Sequence, residues 1–241
     1  MFSKQKLKLL NSSKMKKYLL YALGEIVLIV IGISIAVFIN GLVEEQKQKN
    51  LLNSILVNIK NDMELDLNDL KSYYDIYESQ EDLYKFVLDS LDNGRSIEEC
   101  RPCINLITSS SPFNLRTRGY QQLVNYKEFK LNSSDSLVFR ISNFYASYEK
   151  QVDMVNGLLL DNMNDNLNYL KINYSYFKDM FSNTFDKSKL SFFNENSEFK
   201  NRVALGEILS FANHLQLLKS FDEEAKQILS DVNQRLEKVS E

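Results

Sequence analysis

Cys100-Arg101-Pro102-Cys103 is the one sharply spaced pair of reactive side chains in this 241-residue chain. A C-x-x-C pair can cycle between dithiol and disulfide, form part of a metal site, or staple a local turn. Redox catalysis wants the first cysteine at a helix start, where the dipole and nearby cations such as Arg101 lower its pKa. The flanking sequence shows no alternation of strand and helix patterns, so a thioredoxin-like frame is not supported. A zinc site needs more ligands, and the single histidine, His214, lies far along the chain. The preferred reading is a Cys100–Cys103 disulfide in an oxidising compartment, with free thiols, an oxidoreductase site and a metal site as the alternatives.

The other chemical constellations fail on spacing. Asp62, Glu64, Asp66, Asn68 and Asp69 look like a calcium loop, but the sixth place, which needs glycine, is Leu67. They are read as a solvated acidic face. His214 falls in an amphipathic pattern and reads as an edge-of-core histidine, with no G-x-S-x-G serine to serve. There is no glycine-rich phosphate loop, and none of the 32 acids stands out as a catalytic pair. The expectation is therefore a protein that is not an enzyme: no catalytic residue, no cofactor and no metal.

What must position any such residues is a few long helices. With 7 Gly and 2 Pro, the chain has little material for many turns. Leu19 to Val43 is apolar apart from Glu25, Ser34 and Asn40, longer than the roughly 20 residues that cross a bilayer as a helix. A cleaved signal peptide is the rival reading, but the apolar run outlasts an h-region and continues past Ser34-Ile35-Ala36. Residues 1–17 hold six lysines and no acid, so the positive-inside rule predicts a cytoplasmic N-terminus and an exported remainder. Headgroups and topology account for those lysines, so no nucleic-acid partner is expected.

Glu25 is costly inside a bilayer unless it is paired, neutralised or facing protein. At 100° per residue, Glu25, Ile29, Gly32, Ala36 and Asn40 share one face within about 80°. Gly32 and Ala36 make a small-xxx-small pair suited to close helix approach, and the polar ends can bond a partner helix. The alternatives are snorkelling of Glu25 toward Lys16 or Lys17, and an ion-coupled role.

Lys17-Tyr18-Leu19-Leu20-Tyr21-Ala22-Leu23-Gly24-Glu25-Ile26, followed by Val30-Ile31-Gly32-Ile33, Phe38-Ile39-Asn40 and Glu44-Glu45, resembles the opening of a family of single-pass membrane proteins of unknown function from Bacteroidota. The resemblance covers residues 16–50. It implies a Gram-negative inner membrane and a helical periplasmic domain, and it carries no established activity. The chain departs from that pattern at Leu42, near which a tryptophan is common.

Beyond the membrane segment, Leu56, Met63, Leu70, Tyr77, Tyr84 and Leu91 recur in steps of seven, with Leu52, Ile59, Tyr73 and Val87 offset and the offset row broken by Asp66 and Gln80. This predicts a bundle or coiled-coil helix, stopped at Asp92-Asn93-Gly94. Residues 94–119 hold both prolines and both cysteines and read as a connector of short turns rather than a core element, with a short helix over 120–129. A second long helix follows Asn132-Ser133-Ser134, with an apolar face through Val155, Leu159, Met163 and Leu167 and a solvated strip at Asn162, Asn164, Asp165, Asn166 and Asn168. A last helix follows a cap within 194–198, with Ala204, Ile208, Phe211, Leu215 and Leu218 on its apolar face.

The fold class is all-α: an N-terminal transmembrane helix continuing into a long-helix periplasmic bundle of three long helices plus short connector helices. The domains are a basic cytoplasmic leader (1–17), a transmembrane helix (18–43) and a periplasmic helical domain (44–241, connector 94–132). The expected role is association in the inner membrane, as a homo-oligomer or as an accessory subunit of an envelope complex, with the lipid bilayer as a further partner. The alternatives are a periplasmic sensor signalling laterally through its membrane helix and, less favoured, a thiol oxidoreductase.

Overall fold

The computed structural model describes residues 13–126, 135–180 and 186–240. It is all-α, with no strand among those residues. Helix α1 spans Ser13–Lys85, α2 Arg118–Asn125, α3 Ser136–Asn173, α4 Ser197–Glu207 and α5 Gln216–Ser240. The chain divides into two compact units, Met1–Asn53 and Ser54–Glu241, and α1 contributes to both.

In the first unit, α1 contains the one described helix long and apolar enough to cross a membrane, near the N-terminus. Asn40 and Gly41, the expected place for a bend, lie within this helix. The leader lysines at 4, 6 and 8 lie outside the described residues.

In the second unit the heptad row is the core. Leu56, Met63, Leu70, Tyr77, Tyr84 and Leu91 are all buried, each large apolar side chain contributing about 1.5–3 kcal/mol on leaving water. A π-helical turn, Phe86–Ser90, continues α1. Gly94 then closes it at φ +87°, a left-handed conformation that glycine adopts without a Cβ penalty. Helix α3 starts at an Asp135 cap, whose carboxylate accepts from the Leu137 and Val138 amides. The expected cap at 132–134 lies outside the described residues, as do residues 127–129 of the expected short helix, which is seen as α2. Asn196 caps α4 by accepting from the Phe199 amide.

The connector is not peripheral. Its 3₁₀ turns, Ile97–Glu99 and Arg101–Ile107, bury Ile97, Cys103, Ile104 and Ile107 against Tyr84, Val87, Phe193 and Phe199. The many turn-forming residues set its backbone, but its alternating Ile, Leu and Phe side chains fill the space that α1, α3 and α4 leave open.

Between α4 and α5 the helix widens into a π-helical stretch, Ile208–Leu215. This changes which residues face inward. Ile208, placed by the regular pattern on the apolar face, is 54% exposed, while Arg202, Gly206, Ser210 and His214, spaced by four, turn toward the other helices. On a regular α-helix a four-residue spacing drifts around the axis; the wider π turn cancels the drift.

Candidate functional site

Two places gather polar side chains where apolar ones are the rule. The first is the membrane-length part of α1. Glu25, Ile29, Gly32, Ala36 and Asn40 all lie in this helix and are all exposed. A Cβ built on Gly32 meets nothing within 4 Å, so the small-residue face is open for another helix to approach. Ser34 returns its hydroxyl to the Val30 carbonyl at 2.8 Å, which satisfies it within the helix.

The second is a seam inside the helical domain, along the inward face of α4 and its π-helical extension. Arg202 donates through Nη1 to Asn166 Oδ1 at 3.0 Å and to Asp165 at 2.5 Å, and its guanidinium lies 4.3 Å from the centroid of the Tyr169 ring. Ser210 Oγ is 3.4 Å from Tyr84 Oη. His214, 1% exposed, pairs through Nδ1 with Tyr77 Oη, and the rings of Tyr73 and Tyr77 stand edge-on to it. Burial pushes the Tyr77 phenol up and the His214 imidazole down to about 4. The phenol therefore stays protonated and the imidazole neutral, so the contact between them is a hydrogen bond between uncharged groups. His214 is thus a core histidine rather than an edge one.

This pairing has a pH signature. An unfolded imidazole protonates near 6.5, whereas the folded one stays neutral to about 4, so between these values the unfolded chain binds more protons. Stability contributed by neutral His214 is present above pH 6.5 and lost as pH falls toward 4, by up to about 3 kcal/mol. The difference in unfolding free energy between the wild type and His214→Gln, measured from pH 4 to 7, is expected to slope upward with pH; a flat difference would contradict the assignment.

The seam corrects a second expectation. Asn166 is 0% exposed and Asn162 is partly buried, so the asparagine strip of α3 is not wholly solvated. The buried face runs through Val155, Leu159, Asn166 and Leu170, because Arg202 offers Asn166 a partner that no apolar residue could use.

The acidic run is corrected in the same way. Asp66, 0% exposed, accepts from the Arg116 backbone amide at 3.2 Å and from its Nη1 at 2.6 Å. Asp69 holds the same guanidinium at 2.8 Å, and Asp62 accepts from the Gly119 amide at 2.7 Å. Burial pushes the Asp66 carboxyl up to about 6 against the opposing pull of Arg116. Three of these acids form a clasp for the connector rather than a solvated face; Glu64 and Asn68 are exposed. On the other side of the connector, Asn156 brackets Phe113, accepting from its amide at 3.0 Å and donating to its carbonyl at 2.7 Å.

Cys100 and Cys103 are joined in a disulfide, with Cα atoms 5.5 Å apart. They are 8% and 0% exposed. Thiol exchange requires an attacking thiolate to reach a sulfur, and of the two residues only Cys100 keeps any exposed surface. Among the described residues no three His, Cys, Asp or Glu side chains converge on a point where a metal ion would sit.

Comparison of the chain with protein-family models, with curated proteins and with solved structures finds no match. The functional reading therefore rests on the geometry.

Proposed function

We propose that this chain is a membrane-anchored helical protein that works by association rather than catalysis, as a homo-oligomer or as an accessory subunit of an envelope complex. The observation that carries the reading is the first unit: a membrane-length helix whose most apolar stretch buries none of its residues within the chain, bearing a carboxylate, a small-residue pair and an amide along one face. In hydrocarbon, apolar surface alone gives helices no reason to associate, whereas close backbone approach and interhelical hydrogen bonds do. Glu25 and Asn40 each gain a partner if that face meets another helix, which offsets the cost of placing them in lipid. The charge asymmetry and the resemblance to a Bacteroidota single-pass family support an inner-membrane location, with the N-terminus cytoplasmic and residues 44–241 in the periplasm. The all-helical frame around the cysteine pair weighs against a thioredoxin-like oxidoreductase.

The test is size measurement after mild detergent extraction. The wild type is expected to run as an oligomer or with a co-purifying membrane protein, and Glu25→Leu and Gly32→Leu are each expected to weaken that association by tenfold or more, about 1.4 kcal/mol. A wild-type monomer with no partner, unchanged by either substitution, would overturn the proposal.

A further inference from the structure

The middle of the seam holds a small, partly open cavity of about 20 Å³, enough for one water molecule and too small for a metabolite. Four separate parts of the domain meet there: Gln80 and Tyr84 from α1, Ser110 from the connector, Asn162 from α3, and Ser210 from the π-helical stretch. None of the lining side chains is charged, so an ion would lose its hydration with nothing to replace it. The donors and acceptors are hydroxyls and amides, the set that water bridges in several directions at once.

Two observations indicate that the protein does not satisfy these groups by itself. Ser110 Oγ is buried and has no protein partner. Ser210 is buried, and its hydroxyl reaches only Tyr84 at 3.4 Å, the long end of hydrogen-bond range. Shrinking the space would not help, since a Cβ on the neighbouring Gly206 would come within 3.3 Å of the same phenol oxygen.

We infer that this cavity is a binding site for a single internal water, which bridges Ser110 to Ser210 and Tyr84 and so ties the connector to α1 and the π-helical stretch. The π turn is what brings Ser210 into reach. The seam is then completed by an exchangeable molecule at the point where four chain segments meet.

A structure of the full chain in detergent, at a resolution that shows ordered solvent, tests this directly. Expected is a density peak within hydrogen-bond distance of Ser110 Oγ and of Ser210 Oγ or Tyr84 Oη; an empty cavity, or Ser110 turned to a protein partner, would overturn it. Thermal unfolding of the same full chain gives an independent arm. Ser210→Val fills the site with methyl groups and expels the water, leaving Ser110 and Tyr84 unpaired, so its midpoint should fall about 4 °C or more below that of Ser210→Ala. In a dry cavity the extra methyls would only improve packing, and a valine variant as stable as the alanine variant, or more stable, would refute the inference.

Discussion

Gly119→Ala is expected to be the most damaging single substitution in the helical domain, costing about 3 kcal/mol or more and leaving little folded protein. A Cβ at residue 119 would lie 2.6 Å from the Ile59 amide nitrogen and 2.8 Å from its Cα. Both are backbone atoms in the interior of α1, so neither can turn aside as a side chain would. Relief would require α2 to lift from α1. That would pull the Gly119 amide from Asp62 and strain the Asn58–Gln122 bond, which are both 2.7 Å long. Chemical denaturation of the purified variant, or its yield in the folded fraction, measures the effect; a loss under about 1 kcal/mol would show that the helices can separate at little cost.

The second large effect belongs to Arg116. Removing it strands Asp66 as a buried carboxyl with its main partner gone, and breaking a buried pair from one side costs about 3 kcal/mol or more. Arg116→Ala is expected to reach that loss at pH 8. Without the guanidinium, only the residue-116 backbone amide opposes the desolvation that already raises the Asp66 carboxyl. A carboxyl whose folded pKa is raised contributes stability below its unfolded pKa and loses it as pH rises through the folded value. The deficit of Arg116→Ala should therefore shrink as pH is lowered from 8 to 5. Asp66→Asn should cost less, because Arg116 is partly exposed and keeps Asp69. Denaturant melts of both variants at the two pH values decide the matter: equal losses, or an Arg116→Ala deficit that grows in acid, would contradict the clasp.

The large-scale architecture was legible because it depends on period and length. The heptad row from Leu56 to Leu91 is buried throughout, and the stop at Gly94 follows from a left-handed conformation that glycine adopts without a Cβ penalty. What the sequence concealed was pairing between distant segments. Asp66, like Gln80, broke the offset row, and that break was a signal; its meaning depended on Arg116, fifty residues on, which no local period points to. Asn166 was hidden in the same way, its partner Arg202 lying thirty-six residues on, whereas Ser210 was hidden by a change of helical pitch, since a fixed angle per residue carries Ile208 inward and turns Ser210 away. The face of Glu25, Gly32, Ala36 and Asn40 could be drawn from sequence because α1 is regular there.

The π-helical stretch Ile208–Leu215 makes the number of residues in this segment as consequential as their identity. A π turn holds one residue more than the α turn it replaces. Deleting one residue between 208 and 215 would remove that extra residue and let the helix return to its ordinary pitch, with α4 and α5 kept in phase. With a cut beyond Ser210, the ordinary pitch carries Ile208 inward and turns Ser210 away from Tyr84. Substitutions across this segment can be judged one side chain at a time, but insertions and deletions within it shift several residues of the seam together.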